Sequence, residues 1–126
     1  MLAVRVFSLL ALTALLLSGC SEPPRPTITL YRAIHSGDLD QIKRHLYWKT
    51  DINHPDPDGD YPLHVAARRG RVVISKELLS HGADPNAENL AGATPLRVAL
   101  GEGKTQVAQV LAEKGEEVSH IIVTHT

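Results

Sequence analysis

The chain has 126 residues, room for one modest domain, and its 43% hydrophobic and 21% charged residues argue against wholesale disorder. With 13 basic and 14 acidic residues the net charge is -1, so the basic stripe that a nucleic-acid partner needs is missing. Aromatics are only 4%, and beyond the first twenty residues they are Tyr31, Tyr47, Trp48 and Tyr61, so a core must be built from Leu, Ile, Val and Ala.

The chain opens with "MLAVRVFSLLALTALLLSGC": one positive charge at Arg5, an apolar run from Val6 to Leu17, then Ser18 and Gly19 before Cys20. This predicts a secretory signal rather than part of the fold. The run is too short for a membrane span, which takes about 20 apolar residues. Its ending, Leu17-Ser18-Gly19-Cys20, resembles the lipobox of bacterial lipoproteins, with the chain's single cysteine where that motif requires it. The resemblance implies that Cys20 carries lipid and becomes the first mature residue, and that the protein is held at the membrane without a spanning helix. Several acyl chains on one residue suffice for stable anchoring. Ser21 after the cysteine, by the same resemblance, favours the periplasmic face of the outer membrane. No second cysteine is left for a disulfide. The next stretch, "SEPPRP" from Ser21 to Pro26, reads as a short extended tether.

From Thr27 onward the chain repeats itself every 33 residues. Pro62, Leu63, Val65, Ala66, Gly70 and Leu78 match Pro95, Leu96, Val98, Ala99, Gly103 and Leu111. The same shift backwards aligns Leu63 with Leu30, Ala66 with Ala33, Gly70 with Gly37, Asp84 with Asp51 and Asn86 with Asn53. Pro62 is placed to start a helix that Gly70 ends, and a second helix is predicted over residues 72–81, closed by Gly82. The third copy repeats this: Thr94 caps a helix over 95–102, Gly103 ends it, and a last helix over 106–114 is closed by Gly115. Apolar positions Val73, Ile74, Leu78 and Leu79, then Val107, Val110 and Leu111, are expected to face the core. "EEVSHIIVTHT" leaves the pattern, so Ile121, Ile122 and Val123 either cover the last helix face or fray.

The segments "YPLHVAARRG", "KELLSHGADPNAENLAG" and "ATPLRVALGEG" resemble the ankyrin repeat. The resemblance implies an all-α solenoid of about three helix-turn-helix repeats (27–57, 58–90, 91–119) joined by β-turn loops, followed by a tail over 120–126. Three copies is about the lower limit for such a stack. Departures from the family pattern are Tyr61 with His64, Thr94 with Arg97, Lys49 at the place of Gly82, and Gly101 inside a helix. Arg32, His35, Asp40, Lys43 and Arg44 suit a polar N-terminal cap.

Chemistry-bearing motifs are sparse. "HPDPDGDYP" has the look of a calcium loop, but with Gly59 sixth the twelfth position is Val65, which offers no carboxylate. The seven histidines show no zinc spacing, and no nucleophile elbow, phosphate loop or framed carboxylate pair is present. No metal, cofactor or catalytic residue is therefore expected, and the chain is not read as an enzyme. What the resemblance implies instead is protein recognition on the face formed by turn tips and first-helix ends. By register those positions are Pro57, Asp58, Asp60, Arg68 and Arg69, with Leu90, Ala91, Ala93 and Glu102, and His35 and Ser36; Asp58 and Asp60 are expected to point outward. The expected partner is a periplasmic or envelope protein bound by a monomeric domain. Alternatives are an immunity-type role, holding a toxic enzyme inactive, and a metal-binding or hydrolytic lipoprotein.

Overall fold

A computed structural model describes residues 22–124, with side chains through residue 115. Cys20, Ser21 and the signal segment lie outside the described residues, as do the side chains of Ile121, Ile122 and Val123. The described elements are six helices: α1 (Leu30–Ser36), α2 (Leu39–Tyr47), α3 (Pro62–Arg69), α4 (Val72–Ser80), α5 (Pro95–Gly101) and α6 (Thr105–Thr124). Among the described residues no helix is long and apolar enough to cross a membrane.

Several helices begin where local chemistry supplies a cap. Thr29 accepts from the Arg32 N–H at 3.2 Å and Thr94 from the Arg97 N–H at 3.3 Å, satisfying donors that an opening turn leaves orphaned. Pro62 and Pro95 occupy first-turn positions where a missing N–H costs nothing. Gly70 closes α3 at φ 69°, its N–H returned to Ala66 and Ala67.

The helices pair as α1/α2, α3/α4 and α5/α6, and the pairs stack through α1 on α3, α3 on α5 and α4 on α6. The 33-residue period explains the stack: Ala33, Ala66 and Ala99 are all wholly buried, one per first helix, and their small side chains let the backbones approach. Ile34, Ile42, Leu63, Leu78, Val107 and Leu111 fill the space between the layers. Burial of each such side chain contributes about 1.5–3 kcal/mol. The three-repeat all-helical solenoid is thus as the resemblance implied, and its aliphatic core as the composition did.

Three local expectations fail. Gly115 does not close the last helix: α6 runs through it to Thr124, and Gly115 is absent from the positive-φ glycines. Gly82 leads into a loop tied down by Asn53 and Asp84, whereas Gly115 leads into Glu-Glu-Val-Ser, which offers a helix nothing to break it. A helical glycine then costs only about 1 kcal/mol relative to alanine. Val73 is 56% exposed, because it borders an open groove with Gly37, Leu39 and Gly70 between the first two repeats. The Pro-rich stretch is not a free tether either. The Trp48 indole N–H lies 3.3 Å from the carbonyls of both Pro23 and Pro24, and the Arg25 guanidinium sits over the indole at 4.2 Å. Proline withholds its own N–H and leaves its carbonyl available, so an extended proline pair is a ready acceptor for a tryptophan donor.

Candidate functional site

Two projecting turns are built alike, 33 residues apart. Asp56 Oδ1 accepts the N–H groups of Asp58 and Asp60, each at 2.9 Å. Asn89 Oδ1 accepts those of Ala91 and Ala93 at 3.0 and 2.9 Å. A side chain that holds its own backbone two and four residues on makes the turn rigid before any partner arrives. Asp56 Oδ1 is thereby engaged in the turn. Among the described residues no group of three or more His, Cys, Asp or Glu could hold a metal.

The turns are also braced to each other. Asn89 Nδ2 donates to Asp60 Oδ1 at 3.0 Å, and Arg68 Nη1 donates to Asp60 Oδ2 at 2.8 Å. Asp60 therefore does not point outward as expected: its side chain is only 14% exposed and both carboxylate oxygens are bound. Burial is the largest single influence on this carboxyl and raises its pKa, but the hydrogen bonds from Arg68 and Asn89, with the Arg68 charge, outweigh it and hold the group below its ordinary value. The reciprocal bond to Asp60 raises the Arg68 guanidinium. Tyr31, from the first repeat, donates its hydroxyl to the carbonyls of His54 and Asp60 at 2.5 and 2.9 Å, so all three repeats meet around Asp60. Burial, then the charges of Asp56 and Asp60, push the Tyr31 phenol well above its usual range.

Gly59 permits the tightest contact between the turns. It has φ 83°, and a Cβ there would stand 2.3 Å from Leu90 Cγ. Leu90 nevertheless remains 83% exposed, an apolar tip beside the exposed Pro57, Asp58 and Ala91. Ala93 is half-buried.

The remaining predicted residues gather elsewhere. His35, Arg68, Arg69 and Glu102 line a groove of about 410 Å³ together with Arg71 and Lys104, while Ser36 is exposed beside His35 and donates to the Arg32 carbonyl at 3.0 Å. The structure thus divides the surface into a polar-apolar fingertip and a largely cationic groove, joined where Arg68 meets Asp60. Arg71 and Lys104 were missed by family register, although both are basic and 33 residues apart, which was a signal in plain view. Arg71 also reaches back to the first repeat, its Nη2 2.6 Å from the His35 carbonyl and its Nε 3.2 Å from that of Ile34.

Stacked helix pairs with rigid projecting turns and a charged groove define a helical-repeat scaffold of the kind that serves protein interaction. The chain belongs to the ankyrin repeat family, matching its description "Ankyrin repeats (3 copies)" over residues 30–121. It is similar to a transient receptor potential cation channel subfamily A member 1 homolog of Caenorhabditis elegans, 36% identical over 77% of this chain and 8% of that protein. It is also similar to the 2-5A-dependent ribonuclease of Mus musculus, 42% identical over 56% of this chain and 10% of that protein. A third relative is the human ARF GTPase-activating protein GIT1, 34% identical over 67% of this chain and 11% of that protein. The chain spans roughly a tenth of the length of these relatives, so what is shared is the repeat region. Such repeats are generally non-enzymatic modules through which proteins bind proteins.

Proposed function

We propose that this chain is a bacterial envelope lipoprotein, anchored through Cys20, whose ankyrin repeats bind another envelope protein. The observation that carries the binding half is the groove formed by His35, Arg68, Arg69 and Glu102, backed by a preorganised scaffold. Rigid presentation lowers the ordering cost of association. Pro57, Asp58, Leu90 and Ala91 form the second contact area, and Asp60 and Ala93 shape it from within. The lipobox-like ending at Cys20 supports the anchor.

A photo-crosslinking residue placed at position 58 or 69 in the full chain, in cells, tests the surface against the exposed position 76 on α4. A discrete adduct at 58 or 69 that is missing at 76 is expected. Equal crosslinking at all three sites, or none, overturns the reading. The anchor has its own test: Cys20→Ala should accumulate an uncleaved precursor without fatty acid, and normal processing of that variant would end the lipoprotein assignment.

A further inference from the structure

The docking of residues 23–25 onto Trp48 changes what an anchor at Cys20 would do. Only Ser21 and Glu22 separate Cys20 from Pro23, three Cα-to-Cα steps with a reach of roughly 11 Å even when fully extended. A lipid-anchored domain therefore does not swing on a tether. Its first repeat is drawn onto the bilayer, and the side chains around Trp48 are those that meet it.

Those side chains suit a lipid surface. Tyr47 is 50% exposed and packs edge-on against Trp48, ring centroids 5.3 Å apart, an aromatic pair of the kind enriched at the headgroup level. Arg25, Arg32, Lys43 and Lys49 are all exposed. A groove of about 580 Å³ beside the indole is lined by Arg25, Arg32 and Thr29, two guanidinium groups and a hydroxyl, which is a donor set for a phosphate; the Thr50 hydroxyl on the same wall is engaged by His45 Nδ1 at 2.9 Å. The charge of the chain is polarised in the same direction. Residues 22–50 hold five basic against three acidic side chains, whereas residues 51–126 hold seven against eleven. By net charge, an anionic surface would attract the first repeat more than the other two.

We infer that the face around Arg25, Tyr47, Trp48 and Lys49 docks on the headgroups of an anionic bilayer, so that the repeat stack rises from the membrane. The inference rests on the lipid-anchor reading. Once the first repeat lies on the membrane, the second and third repeats, with Asp58, Leu90 and Glu102, are held away from the lipid and open to a partner.

Trp48 is the only tryptophan in the chain, so its fluorescence reports this face alone. The full chain, purified from membranes, is reconstituted into vesicles of phosphatidylcholine alone or of an equal mixture with phosphatidylglycerol, each carrying a headgroup-level nitroxide lipid. Trp48 should be quenched at least about threefold more in the mixed vesicles, and raising the salt should abolish the difference. The triple variant Arg25→Glu, Lys43→Glu, Lys49→Glu should lower quenching to the phosphatidylcholine level, with circular dichroism reporting whether it remains folded. Equal quenching of the wild-type chain in both vesicles overturns the docking, as does a folded triple variant that is quenched like wild type. The mass of the purified chain reads the anchor separately. An unacylated chain overturns the anchor and the docking with it, whereas an acylated chain with Trp48 equally exposed in both vesicles overturns the docking alone.

Discussion

His64 of the second repeat holds the Ala93 carbonyl of the third at 2.7 Å through Nε2, while its Nδ1 accepts the N–H of Tyr61 at 3.1 Å. The partners dictate the tautomer: a nitrogen accepting a backbone N–H carries no proton, and one facing a carbonyl must carry it. The ring is wholly buried, so it does with one side chain what a threonine cap and a loop brace would do with two. His64→Ala leaves two backbone groups unpaired and a cavity behind, and it should cost about 3 kcal/mol in urea unfolding. His64→Gln, which keeps one donor and one acceptor, should recover part of that loss. A loss below about 1 kcal/mol for the alanine variant would show that the bridge adds little.

Asp60 makes the stack sensitive to acid. Its folded pKa lies below the ordinary 3.8, so the stability it contributes is present above that value and is lost as the pH falls through the folded pKa. Asp60→Asn should lower the melting temperature at neutral pH, and the gap to wild type should narrow steadily below pH 4 as the wild-type carboxyl protonates. Thermal melts of both proteins across the acid range measure this. A gap that is constant with pH would mean that the Arg68 and Asn89 contacts do not favour the ionised form.

Ser75 is wholly buried on α4, and its hydroxyl has no partner. The third repeat has Ala108 at the same register position, also buried. Replacing an unsatisfied buried hydroxyl by a methyl of nearly the same shape, with better helix propensity, should stabilise the domain by about 1 kcal/mol. Ser75→Ala should therefore raise the urea midpoint without changing the slope of the transition.

Lys49 takes φ 60°, the one non-glycine residue with positive φ among the described residues, at the register position where Gly82 has φ 96°. A side chain in this region costs roughly 1 kcal/mol, partly offset by the greater freedom of glycine in the unfolded chain. Lys49→Gly should thus add about 0.5 kcal/mol when melted in lipid-free buffer. The same variant loses a cation from the face around Trp48, so it should also weaken Trp48 quenching in anionic vesicles.

The repeat architecture was legible because its signals are local and recur. Pro62 and Pro95 start helices, and Gly70 and Gly103 follow their ends, each through dihedral preferences acting within a few residues. Gly115 was misread for the same reason: its neighbours lack the loop chemistry that makes Gly82 a terminator, and a period alone does not register that.

The sequence by itself thus determined the family, the helices and the aliphatic core, since backbone preference and hydrophobic period are properties of short segments repeated three times. Only the tertiary structure decided which way Asp60 faces, that the Pro23–Pro24 pair lies on Trp48, and that Arg71 reaches His35. These pairs are 29, 25 and 36 residues apart, counting Asp60 to Asn89, Pro23 to Trp48 and His35 to Arg71. Such contacts exist only after the repeats have stacked, because one repeat's side chain then meets a hydrogen-bond partner that another repeat supplies.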